Sequence, residues 1–111
     1  MKKREVVKKA REFDYIINKG KRIKNDAFNV FITKTKSEIP LFGIAVSKKL
    51  GNAVERNKQK RQIRNIIDKN KKNFSNNNKY IIMIKKNGIE MTFEEKEKKL
   101  IKLITKENNE K

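Results

Sequence analysis

The sequence predicts one small domain that mixes helices and strands in the order α, two or three β, α, β, α. Three observations lead there. The chain has 111 residues, enough for one core of ordinary size and too few for a second. Three segments carry apolar residues at helical spacing. Between them lie short runs that alternate or are apolar throughout, as strands do. The composition, 35% hydrophobic and 40% charged, leans toward disorder. The clear periods of the apolar residues argue instead for a small folded core.

The first helical pattern spans 10–19, where Phe13, Ile16 and Ile17 form one apolar stripe. Gly20 stands where a left-handed residue would end it. Residues 21–24 read as a short edge strand kept from aggregating by its charges, and Asn25-Asp26 as a turn. From Ala27 to Lys34, Phe28, Val30 and Ile32 alternate with Asn29, Phe31 and Thr33, which predicts a strand with Phe28 and Phe31 on opposite faces. Thr35 to Pro40 reads as a loop. The run Leu41 to Ser47 is apolar on both faces and predicts a central strand.

Asn52 followed by Glu55 three residues on has the spacing of a capping box, so a helix should open there and run to about Lys71, with Ile63, Ile66 and Ile67 as its buried stripe. An Asn-rich loop over 73–78 follows, then a strand at Tyr80 to Ile84. Thr92-Phe93-Glu94-Glu95 opens a last helix, with acids in its first turn and Leu100, Ile101, Leu103 and Ile104 as its packing face. Residues 1–9 form a basic arm, and 107–111 a polar tail expected to fray.

Charge narrows the function. Lys plus Arg number 31 and Asp plus Glu 13, a formal net charge of +18. A small protein tolerates such self-repulsion when a polyanion offsets it. Without Cys there is no disulfide partner, thiolate metal site or thiol catalysis, and without His the commonest general base and zinc ligand are missing. No apolar run approaches the roughly 18 residues of a membrane helix, and the basic N-terminus lacks the apolar stretch of a signal peptide. These features fit a cytoplasmic protein with no membrane partner.

The cations concentrate between Lys48 and Arg64, where Glu55 is the only acid. At about 100° per residue, Arg56, Lys60 and Arg64 line one edge of the helix, with Asn57 and Arg61 beside them. Arginine forks suit phosphate oxygens, and Asn57 can donate and accept toward a base edge or ribose hydroxyl. A merely solvated face would be expected to carry acids at i±4, and this one nearly lacks them. Gly51 permits a tight turn ahead of the helix.

The segment Val46-Ser47-Lys48-Lys49-Leu50-Gly51-Asn52-Ala53-Val54-Glu55-Arg56-Asn57-Lys58-Gln59-Lys60-Arg61-Gln62-Ile63-Arg64 closely resembles the signature of the bacterial ribonuclease P protein component. Glu12-Phe13, Lys19-Gly20, Phe28, Phe31 and Thr92-Phe93-Glu94-Glu95 extend the likeness over nearly the whole chain. The resemblance implies an α+β fold in the order αβββαβα, with a left-handed βαβ crossover around the Arg-rich helix. It implies an accessory subunit of an endoribonuclease, which binds ribonuclease P RNA and precursor tRNA and promotes removal of the 5′ leader. The chemistry is then expected from the RNA, with Mg²⁺ mainly at the RNA subunit and no catalytic residue in the protein.

On the same comparison, Lys48, Lys49, Arg56, Asn57, Lys60, Arg61 and Arg64 contact RNA. A cleft between the first helix and the sheet takes the single-stranded leader at Phe13, Ile17 and Phe31, with Asn57 at its edge. Sulfate or phosphate is expected on the basic face. Ile17 replaces a frequent second aromatic, Leu41 a frequent Arg, and Lys85 a common Arg. The competing reading is a small basic ribosomal or other structured-RNA-binding protein without processing activity. A helix-turn-helix DNA binder would need a second helix abutting the basic one, and strand-like segments flank it instead. A membrane-surface helix would need a broader apolar stripe and Trp.

Overall fold

The computed structural model describes residues 5–7 and 10–109. Positions 1–4, 8 and 9 of the basic arm, and 110 and 111 of the tail, lie outside the described residues. The elements are α1 (Ala10–Lys19), β1 (Lys21–Lys24), β2 (Phe28–Lys34), β3 (Leu41–Ala45), α2 (Ala53–Lys69), β4 (Asn78–Ile84), α3 (Lys86–Ile89) and α4 (Phe93–Asn109). The single-turn α3 aside, this is the αβββαβα order. The four strands form one sheet in the order β1-β2-β4-β3. β1–β2 and β2–β4 are antiparallel, while β3 and β4 are parallel and joined through α2.

Strand periodicity sorts the apolar residues into two layers. Phe28, Val30 and Ile32 of β2 join Tyr80, Ile82 and Ile84 of β4 on one face. There they meet Ile63, Ile66 and Ile67 of α2 and Leu100, Leu103 and Ile104 of α4. Phe42, Phe74 and Tyr80 close this core with ring centroids 5.0–5.7 Å apart. On the other face Phe31 and Ile81 pack under Ile16 of α1, with Val7, Phe13, Ile17, Leu41 and Met83 around them. The register sets Phe31, Ile81 and Gly43 side by side across β2, β4 and β3.

Several expectations are corrected. Gly20 is not left-handed, since among the described residues only Gly51 has a positive φ. Its backbone N–H still closes the last turn of α1 on the Ile16 carbonyl at 2.8 Å. What requires glycine is close approach, because a Cβ there would lie 2.5 Å from the Ile16 oxygen and 2.8 Å from that of Ile32. β3 is an edge strand, not a central one. It is apolar on both faces because α1 and α2 cover it. Its outer edge receives a one-residue parallel bridge from Val6, with Val7 N–H donating to the Phe42 carbonyl at 2.8 Å.

The helix starts follow local hydrogen bonding. The Asn52 side chain accepts from Glu55 N–H at 2.9 Å, which caps α2, but the Glu55 carboxylate turns to Gln59 at 2.8 Å instead of completing the box. The reciprocal box stands at α4, where Glu95 N–H donates to Thr92 Oγ1 and Thr92 N–H to the Glu95 carboxylate. Those bonds hold Glu95 below the usual carboxylate range, the backbone N–H of Thr92 contributing most. At the other end, α4 continues to Asn109 where fraying from 107 was expected. Glu107 is buried and ion-paired to Lys21 of β1 at 2.9 Å.

Ile66 is fully buried between α2 and the sheet. Ile66→Ala should therefore destabilise the domain by about 2–5 kcal/mol, measured by urea denaturation. A loss below about 1 kcal/mol would mean that this contact surface is not the main core.

Candidate nucleic-acid interface

The isoleucine stripe turns α2 so that its opposite side faces solvent. Asn57, Lys58, Arg61 and Arg64 are exposed there, and Arg56 and Lys60 are half-buried. Lys48 and Lys49 are exposed on the short 3₁₀ turn over 48–50 just ahead, where Ser47 Oγ accepts from Lys49 N–H at 3.3 Å. Gly51 then leads into the Asn52 cap. All seven residues expected to contact RNA thus lie on α2 or the turn that feeds it.

None of the cations on this surface pairs with a carboxylate among the described residues. Every ion pair between described residues uses a lysine elsewhere: Lys21–Glu107, Lys69–Glu97, Lys71 with Glu5 and Asp68, Lys79–Glu12 and Lys99–Asp26. Glu55, the one acid within the stripe, accepts from Gln59 instead. Arg56 Nε is buried without a hydrogen-bond partner among the described residues. The guanidinium groups are therefore not neutralised from within the fold.

Beside this stripe lies a cleft of about 400 Å³ between α1, β3 and α2. Phe13 walls one side, Val6 and Val7 another, and Lys60 and Arg64 reach in from α2. Gly43 lets that wall pack closely, because a Cβ there would lie 2.5 Å from Phe13 Cζ and 2.6 Å from Ile81 Cδ1. The ring of Phe13 rests on bare strand backbone.

The structure brings Phe13 together with Lys60 and Arg64, and it redistributes the other cleft residues. Phe31 is only 9% exposed and lies under α1 between Ile16 and Ile81. It supports the cleft from below and presents no ring for stacking. Ile17 is half-buried in the same cluster, and Asn57 stands exposed outside the cleft lining. Leu41 packs into that cluster too, and Lys85 donates to the Asn25 carbonyl at 2.7 Å, bracing a turn.

Sequence reasoning missed the support behind α2. Lys96 of α4 is 1% exposed, and its ammonium donates at 2.6 Å to both Gln59 and Gln62 on the underside of α2. Gln59 in turn donates to Glu55. Burial, and secondly the charge of Lys58, push the Lys96 ammonium below the usual lysine range. A signal was available: Lys96 falls four residues before Leu100, and Gln59 four before Ile63, so both sit on buried stripes.

Among the described residues no three acidic side chains converge where a cation could be held. No described helix is long and apolar enough to cross a membrane.

The family model for Ribonuclease P matches residues 1–108. The ribonuclease P protein component of Mycoplasma capricolum is 43% identical over 105 residues, 94% of this chain and 96% of that protein. That of Bacillus cereus is 43% identical over 103 residues, 91% and 89% of the two chains. Among solved structures, the RNase P protein of Thermotoga maritima superposes with a TM-score of 0.85 at 28% identity, covering 92% of this chain and 96% of that one. The Staphylococcus aureus RNase P protein gives 0.84 at 32% identity, covering 93% and 94%.

Lys96→Met would leave the Gln59 and Gln62 carbonyls without their donor, at a cost of about 1–3 kcal/mol at neutral pH. The native ammonium titrates below its unfolded value, so the folded state binds fewer protons there. Stability contributed by this group therefore rises with pH up to the ordinary lysine range near ~10.4. Denaturation across alkaline pH should show a shallower rise in the variant than in the wild type. Parallel curves would mean that Lys96 keeps its ordinary titration.

Proposed function

The chain belongs to the ribonuclease P protein family, and from that premise we propose that it docks on the catalytic RNA through α2 and receives the single-stranded 5′ leader of precursor tRNA in the cleft beneath α1. The observation that carries this reading is the unpaired cationic face of α2 meeting, at Lys60 and Arg64, a cleft walled by Phe13. Arg56, Arg61 and Arg64 present planar forks to phosphate oxygens, Lys48, Lys49 and Lys60 add point charges, and Asn57 reads a ribose or base edge. In the absence of RNA, sulfate or phosphate takes the same positions.

In the cleft the leader runs as a single strand. Phe13 offers its ring to a base with little sequence preference, a contact worth about 1–3 kcal/mol. Lys60 and Arg64 neutralise the neighbouring phosphates, and Phe31 keeps the floor rigid. The protein so raises affinity for the precursor over the mature product, and leader removal in the cytoplasm is its contribution to tRNA 5′-end maturation.

Hydrolysis of the phosphodiester belongs to the RNA in this proposal. The chain contains no His or Cys, and among the described residues no three acidic side chains gather into a cation site. Any Mg²⁺ the reaction uses would be held by the RNA, where it would supply Lewis-acid chemistry. The side chains of this subunit bind, orient and screen charge.

Two measurements test the proposal. Arg64→Ala should weaken binding to ribonuclease P RNA and make the slope of log affinity against log salt shallower by about 1. An unchanged slope would remove Arg64 from the RNA contact. In the reconstituted holoenzyme, Phe13→Ala should lower affinity for leader-bearing precursor by about 5- to 150-fold and leave mature tRNA unaffected. Equal losses for the two RNAs would place the leader elsewhere.

A further inference from the structure

The outward side of α1 carries Arg11, Tyr15 and Lys19 at i, i+4 and i+8, away from the stripe of Phe13, Ile16 and Ile17. Tyr15 is 61% exposed, and among the described residues only Val54 shares that condition as a large apolar side chain. A groove of about 420 Å³ runs beside it between α1 and the strand ends, bounded by Thr33, Lys34 and Lys79. A second depression of about 380 Å³ shares Thr33 and Lys34 and continues to Lys19, Lys21 and Asn78.

The chemistry of this groove is one-sided. Glu12 is taken by Lys79 and Glu107 by Lys21, which leaves Asp14 as its remaining acid. Arg11, Lys19 and Lys34 make no ion pair among the described residues. An aromatic face flanked by cations that make no ion pair matches a single-stranded polynucleotide: ring to base, cations to phosphates.

We infer that this groove is a second single-strand site, holding leader nucleotides 5′ of those in the Phe13 cleft; the inference rests on the leader reading above. Phe13 and Tyr15 lie on opposite flanks of α1, so a strand leaving the cleft reaches Tyr15 after crossing one helix width, about 10 Å. The α2 stripe assigned to the catalytic RNA belongs to a helix packed on the other face of the sheet. The groove therefore lies on the leader's side of the molecule.

The test uses the reconstituted holoenzyme and precursor tRNAs whose leaders are lengthened stepwise. Wild-type affinity should tighten once the leader is long enough to pass α1. Tyr15→Ala should lose that extra gain, about tenfold, while Tyr15→Phe keeps it. Affinities for short-leader precursor, mature tRNA and the catalytic RNA should stay unchanged, and a thermal melt checks that the exposed substitution leaves the fold intact. A wild-type affinity indifferent to leader length, or a Tyr15→Ala variant that keeps the gain, overturns the site. A loss shared by the catalytic RNA alone would also overturn it. Phe13→Ala with the short leader reads the cleft separately, so failure of the cleft and failure of the groove are told apart.

Discussion

The structure depends on how a chain of net charge +18 disposes of its cations. Lysines from β1, β4, α4 and the end of α2 are bound to carboxylates, which ties edges and helix ends to the body of the domain. The arginines of α2 receive no such partner among the described residues. Exposed pairs contribute little stability each, so the arrangement matters less for folding than for what it leaves unpaired. Repulsion is relieved where the elements meet and left standing along the exposed face of α2. A polyanion completes the balance that the fold leaves open.

Packing then turns this charge distribution into a shaped site. The sheet's two faces are used unequally. One is sealed by α2 and α4 around a three-ring aromatic cluster. The other carries only α1 and the short segment at Val6 and Val7. The row Phe31, Ile81, Gly43 falls away in side-chain size toward β3, and α1 spans that step. The missing Cβ lets the Phe13 ring close onto β3, and the cleft beside that ring opens toward Lys60 and Arg64. Lys96 braces the same helix from behind, so the cationic face and the cleft share one fixed backbone.

Much of this was legible in the residues. Periodicity located every major element, and the offset of Phe28 from Phe31 placed those two rings on opposite faces. What failed was tertiary. An apolar run such as Leu41 to Ser47 records that two faces are covered, and it is silent about neighbours along the hydrogen-bonding direction, so an edge strand read as central. Gly20 carried two physical meanings, a left-handed cap or a close approach, and only the position of Ile32 decides between them. Phe31 looked available because strand alternation does not say what lies over a face. The α2 stripe needed no such information, since helix geometry alone gathers Arg56, Lys60 and Arg64.

The bridge from Val6 to Phe42 bears on solubility. A bare parallel margin beside β3 is a template on which a second copy of the chain could add a strand, and cationic self-repulsion weakens at high salt. One backbone hydrogen bond from Val7, reinforced by Glu5 reaching Lys71, occupies the middle of that margin. Shortening the chain from its beginning past these residues would uncover the template, and the cost would appear as precipitation in strong electrolyte before it appeared as lost helix or sheet.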